Sequence, residues 1–284
     1  MNIRNPAVAG SFYPAGSDEL AKKIKGLMED RPKGKAIGIV VPHAGYNYCG
    51  KQMAAAYAAV AESDFETVVV IGPNHMGFGA GIASSEGIWK TPLGSVSVDD
   101  DFVKELRLPA DSAAHSGEHS IEVQLPWLQT LFASKNSRFF RFVPISIKHT
   151  HYTKESCKAL GERMANVAAK LKRKIIVVAS SDFTHYGRAY GHTPFTGTTS
   201  QVLKKIKETD MEIAGYAAKL MPERLMEVCV EKNLSICGYG PIATMLWAAK
   251  KLGATKGEVL EYGTSFDSSR DSGAIVGYCS IVLH

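Results

Sequence analysis

Two histidines follow buried-type apolar runs in the same way. "AIGIVVPHAGY" ends on Pro42-His43, and "TVVVIGPNHMG" ends on Gly72-Pro73-Asn74-His75. A third run, "KIIVVASSDFTHYG", delivers Asp182 and His185. Neutral imidazole is a good donor to Zn, Fe, Cu and Ni, and open metal sites pair two or three imidazoles with a carboxylate or thiolate. The best thiolate in the chain is Cys237 in "SICGYGP", just before a predicted helix whose N-terminal dipole should lower its pKa. Near Cys237 and three strand ends, the chemistry would be that of a metal ion held by His43, His75 and Cys237. Asp182 and His185, at the third strand end, should lie beside it.

Those residues need elements that bring them together. "AIGIVV" (36–41), "TVVVIG" (67–72) and "KIIVVAS" (174–180) are continuous apolar runs of strand length, as expected for strands buried on both faces. The small-residue helix "GKQMAAAYAAVAES" (50–63) separates the first two. His43 and His75 therefore lie one strand–helix–strand crossover apart, a unit of about 30 residues. Right-handed crossovers make such strands parallel and put their C-terminal ends on one edge of the sheet, where α/β proteins bind ligands.

The remaining pattern is mixed. "GIASSEGIWKTPLGSVSVD" (81–99) has the alternation and turns of an antiparallel hairpin. "SIEVQLPWLQTLF" (120–132) predicts a helix with a kink at Pro126, and "FFRFVPIS" (139–146) another strand. Residues 152–171 give the clearest helix, with Leu160, Met164, Val167 and Leu171 on one face. "GEVLEYGTS" and "GAIVGYCSIVLH" predict a closing antiparallel pair joined by the "FDSSRDS" loop. With no repeat and no linker composition, the chain is expected to be one α/β domain spanning 1–284, a central mixed sheet with helices on both faces.

"HSGEHSIE" (115–122) matches the H-x-x-E-H pattern of inverted zinc peptidases. That pattern works only on a helix, and Gly117 in its middle points instead to a loop entering a helix near Ser120, with Ser116 or Ser120 as cap. His119 remains a candidate acid/base. Cys157, Cys229 and Cys279 fall in predicted helices and a strand and are expected in the core, whereas Cys49, directly after the His43 loop, has two readings.

Composition bounds the rest. The 284 residues carry 33 Lys+Arg against 28 Asp+Glu, a net charge of +5 that is dispersed rather than striped, which argues against nucleic acid. Five cysteines without a CxxC pair make no disulfide framework, and the simplest expectation is a reduced, cytoplasmic protein. No apolar run near the start has signal-peptide length and none reaches a membrane span, so no membrane partner is expected. No phosphate-binding fingerprint is present. The oligomeric state has no signature.

"RNPAVAGSFYPAG", "PHAGYNYCG", "GPNHMG", "GEHSIEVQLPWL", "SSDFTHYG" and "CGYGP", in this order along nearly the whole chain, resemble the Memo family. The resemblance implies the fold of class III extradiol dioxygenases, non-haem Fe(II) enzymes that cleave catechols. It places His43, His75 and Cys237 at the metal-ligand positions and Asp182 and His185 in the same cleft, with His185 and His119 as counterparts of the proton-transferring histidine pair. The dioxygenases use two histidines and a carboxylate; the softer thiolate of Cys237 shifts preference toward Cu or Zn and alters the potential of Fe. Three functions follow: redox or dioxygenase-like chemistry on an unknown substrate with Fe(II) or Cu; a non-catalytic peptide or phosphopeptide-binding cleft; or a zinc-dependent hydrolase.

Overall fold

A computed structural model describes residues 2–134 and 140–284. In chain order its strands are β1 (Ile3–Arg4), β2 (Gly38–Val41), β3 (Thr67–Pro73), β4 (Ile82–Ala83), β5 (Ile88–Thr91), β6 (Gly94–Val98), β7 (Arg141–Ile147), β8 (Ile175–Ser180), β9 (His185–Tyr186), β10 (Gly257–Thr264) and β11 (Ile275–Leu283). Its helices are α1 (Ser17–Met28), α2 (Tyr46–Ala59), α3 (Asp100–Leu106), α4 (Leu125–Ser134), α5 (Lys154–Lys170), α6 (Thr199–Ala218), α7 (Pro222–Glu231), α8 (Tyr239–Lys251) and α9 (Phe266–Ser269).

The strands join one mixed sheet in the order β1-β5-β6-β7-β3-β8-β2-β11-β10, with β4 paired to β7 and β9 to β11. The three apolar runs are neighbours at its centre. β3 pairs in parallel with β8 and β8 in parallel with β2, so Val69, Val177 and Gly38 share one register line. Every residue of β2 and β3 is buried. Such strands need cover on both faces, and helices supply it: α8 packs on β8, β3 and β2 with α5 behind it, while α2 packs on β2, β11 and β10. The hairpin β5–β6 and the closing pair β10–β11 are antiparallel, as their alternation predicts.

Local differences from the sequence reading have plain causes. α2 begins at Tyr46, four residues before the predicted start, because Gly45 directly after the His43 turn already supplies the extended cap. Pro126 does not kink its helix. A 3-10 turn covers Glu122–Gln124 and α4 begins at Leu125, so proline occupies the first turn, where no N–H is required of it. The predicted strand over 139–146 is β7, although its first residue, Phe139, lies outside the described residues. Cys157, Cys229 and Cys279 are buried as expected, and Cys49 is buried too, its thiol donating to the Ala44 carbonyl at 3.2 Å. No described helix is long and apolar enough to cross a membrane.

Candidate metal centre

The C-terminal ends of β2, β3 and β8 open on one edge, where five segments meet. His43 lies two residues past β2, His75 two past β3, and Asp182 two past β8. Cys237 stands just before α8, and His119 comes from the loop ahead of Glu122–Gln124. Gly72 shows why β3 ends as it does. A Cβ there would meet Ser120 Oγ at 2.4 Å, and the hydroxyl instead donates to the Pro73 carbonyl at 2.9 Å. The strand end and the 115–122 loop are stitched together at the residue that must lack a side chain.

His43, His75 and Cys237 come together: one donor atom from each lies within 4.8 Å of the others. Cys237 Sγ is 3.2 Å from His43 Nε2. A metal at ordinary Zn–N and Zn–S distances of about 2.0 and 2.3 Å would set adjacent nitrogen and sulfur roughly 3.1–3.6 Å apart. The donor set and its spacing fit a metal ion.

Hydrogen bonds set which imidazole nitrogen faces the cluster. His43 Nδ1 lies 3.1 Å from Ser180 Oγ, and Ser180 gives its own proton to the Ser120 carbonyl at 2.6 Å. Ser180 is therefore an acceptor for His43, as it is for Gln124 Nε2 at 2.9 Å. The proton of His43 sits on Nδ1, and Nε2 presents a lone pair to Cys237. His185 Nδ1 donates to the Ser235 carbonyl at 2.9 Å, which leaves its Nε2 likewise free. On the other flank, His75 Nδ1 meets Glu118 at 2.9 Å.

Charge and burial tune these groups unequally. Complete burial holds His43 well below the usual histidine range, helped by repulsion from His75 and His119. Burial also pulls His119 down, to about 4. Burial acts on His75 in the same direction, but hydrogen bonds to Cys237 and Glu118 outweigh it and raise its pKa to about 10. Cys237 departs from the expectation built on the helix dipole: burial pushes the thiol up, only partly opposed by its bond to His75. A dipole contribution of about 0.3–1 kcal/mol is too small to win against desolvation.

The other predicted residues line the same cleft, a cavity of about 510 Å³. Asp182 Oδ1 accepts the His43 backbone N–H at 2.7 Å, so its carboxylate braces the His43 turn, while Ser235 orients His185. Asp182 reaches His185 through charge. The ring of His119 stacks on His75, with centroids 4.9 Å apart, and meets Phe12 in a tilted contact at 4.7 Å. His115, by contrast, is buried against Trp89, away from His119, and residues 115–121 are not a helix. That removes the inverted-peptidase arrangement. Neither Ser116 nor Ser120 caps a helix.

The N-terminal segment, read above only as a motif, forms one wall. Arg4 donates to the His115 and Glu118 carbonyls at 2.8 and 2.7 Å and pairs with the buried Glu122 at 2.7 Å. Glu122 also accepts from Ala7 N, Val8 N and Tyr13 Oη. This grip places Phe12 against His119. Glu118, Ser180, Ser235 and the aromatic wall of Tyr48, Tyr190 and Tyr278 were not among the candidates. Only Glu118, adjacent to His119 in "GEHS", carried a local signal.

Known proteins resemble the chain over nearly its whole length. Residues 4–282 match the sequence profile described as Memo-like protein. The chain is 39% identical to a MEMO1 family protein of Methanopyrus kandleri over 99% of this chain and 98% of that protein. It is 40% identical to one of Methanosarcina barkeri over 99% and 100%. A Pyrococcus abyssi member is 39% identical over 99% of each chain. With its profile matched almost end to end and full-length relatives at this identity, the chain belongs to the Memo family.

Proposed function

We propose that the cleft is a mononuclear metal site for redox chemistry on a small aromatic ligand, with His43, His75 and Cys237 holding Fe(II) or Cu. The observation that carries this reading is the convergence of two imidazoles and a thiol within 4.8 Å, with both imidazoles lining a 510 Å³ cavity. Such an ion, held by these three residues, would supply a one-electron redox centre. The chain's own residues do the rest. Phe12, Tyr48, Tyr190 and Tyr278 give the cleft aromatic walls. Asp182 holds the His43 turn in place. His185, its Nδ1 proton committed to Ser235, offers Nε2 to take a proton from a ligand hydroxyl.

The lining also speaks to ligand charge. It contains Asp182 and Asp271 but no lysine or arginine among the described residues. Phosphate recognition relies on arginine clusters, so this lining disfavours the phosphopeptide reading and favours neutral or cationic ligands. The zinc-hydrolase reading uses the same donors and differs only in the metal.

Metal analysis of aerobically and anaerobically purified protein tests the proposal. About one equivalent of Fe or Cu, lost in the His75→Ala/Cys237→Ser double variant, is expected. Equal metal content in wild type and variant refutes it. Zinc as the retained ion, with ester or peptide turnover and no redox cycling, would transfer the site to the hydrolase reading.

A further inference from the structure

We infer that Glu118 is the positioning residue that makes His75 a ligand, by fixing both the tautomer and the placement of its ring. The inference rests on the metal-site reading above. Glu118 is only 1% exposed. One oxygen accepts the His75 backbone N–H at 2.6 Å; the other meets His75 Nδ1 at 2.9 Å and accepts the Ser120 N–H at 2.9 Å. A single carboxylate thus grips the backbone and the ring of the same residue. The backbone bond fixes where the side chain starts, and the Nδ1 bond fixes how the ring is turned. With the proton held on Nδ1, Nε2 is the nitrogen directed at Cys237 and His43.

The two histidines of the cluster are held by different devices. His43 depends on a neutral hydroxyl, Ser180, whose polarity is set by Ser120 and Gln124. His75 has a side chain 32% exposed and sits on a loop, where an uncharged partner would leave the ring free to turn. A buried carboxylate with both oxygens engaged answers that need. Glu118 also lies close enough to His75 and His119 to form a three-residue ligand group of its own. Its oxygens are already taken by three N–H donors, however, and His119 Nδ1 is 3.5 Å away. The geometry favours support of His75 over ligation.

Glu118→Gln separates the two roles. An amide must set its NH2 either against the fixed His75 backbone donor or against Nδ1 and Ser120. In the second arrangement Nδ1 becomes an acceptor, the ring proton moves to Nε2, and the ligand lone pair is lost. Cobalt(II) titration, followed by thiolate-to-cobalt absorption, should show affinity about ten- to a hundred-fold weaker than wild type. The thiolate band should persist at saturation because Cys237 is untouched. In a His75→Ala background the same Glu118→Gln change should weaken cobalt binding no further, since the ring through which Glu118 reaches the metal is gone. In zinc-loaded wild type, nitrogen NMR should find His75 protonated at Nδ1.

Wild-type cobalt affinity in Glu118→Gln, where His75→Ala alone weakens binding, overturns the inference and leaves the metal site standing. An equal further loss in the His75→Ala background also overturns it, by showing that Glu118 is itself a ligand or a general structural support. Cobalt binding insensitive to both His75→Ala and Cys237→Ser removes the metal-site reading and this inference together.

Discussion

Asp210→Asn tests the balance of burial and hydrogen bonding just behind the cleft. Asp210 lies on α6, fully buried. It accepts from Thr184 N at 3.1 Å and Thr184 Oγ1 at 2.5 Å, and from Tyr262 Oη at 2.9 Å. These bonds anchor the turn between Asp182 and His185. Burial raises the carboxyl from 3.8 to about 6 even though all three bonds pull it down. The folded state therefore holds the proton more tightly than the unfolded chain. The associated stability is fully present below about pH 4 and is lost as pH rises through about 6. A gap of about two pKa units is worth on the order of 3 kcal/mol. Asparagine keeps an oxygen for Thr184 and offers an N–H to Tyr262, but it binds no proton. Urea unfolding of both proteins at stepped pH isolates this group, because every other titration occurs in both and cancels. Wild type should lose on the order of 3 kcal/mol relative to the variant between pH 4 and pH 7. Parallel curves, or wild type gaining on the variant as pH rises, would refute the reasoning, the latter by showing that the hydrogen bonds outweigh burial.

Arg4→Ala strips the buried Glu122 of its cation. A loss of about 3 kcal/mol is expected by chemical denaturation, at the low end for breaking a buried pair because three other donors remain on Glu122. Adding Glu122→Gln should recover part of that loss. Gly240→Ala would set a Cβ 2.4 Å from the ring of Tyr152, whose hydroxyl donates to the Cys237 carbonyl at 2.9 Å. It should cost about 1–3 kcal/mol and weaken metal binding. Gly215→Ala in α6, where nothing lies within 4 Å, should be neutral or stabilising by about 0.4–1 kcal/mol in the same melts. Ser180→Ala removes the acceptor for His43 Nδ1, and cobalt affinity should fall about tenfold; the same hydroxyl serves Gln124 and Ser120, so a stability loss of about 1–3 kcal/mol should accompany it.

The central frame was legible because strands buried on both faces leave no polar alternation: "GIVV", "TVVVIGP" and "IIVVAS" can be nothing else at that length. Their shared polar ends then foretold a meeting point. The order β3-β8-β2 was not legible, since periodicity says which faces are buried and not which strand is next. The supporting groups were hidden for a similar reason. Ser180 and Ser235 are ordinary residues in sequence, and their roles as acceptors for His43 and His185 exist only through contacts 137 and 50 residues distant. Glu118 sits in a stretch whose pattern reads as a loop entering a helix, and nothing in that pattern shows that its oxygens face His75. The Cys237 expectation failed on magnitude: the helix start was read correctly, but a buried thiol feels desolvation more than a dipole.

The cluster joins residues whose chain separation is extreme, with Cys237 and His43 194 positions apart. No partly folded segment holds both, and closing so long a loop is entropically costly until the sheet is complete. Ion capture at this cluster is thereby tied to the finished fold. An ion bound there would add its binding free energy to native-state stability without rewarding any intermediate. Retained metal would then serve as a readout of chain integrity: a molecule that has kept its ion has also kept the fold that brings His43 and Cys237 together.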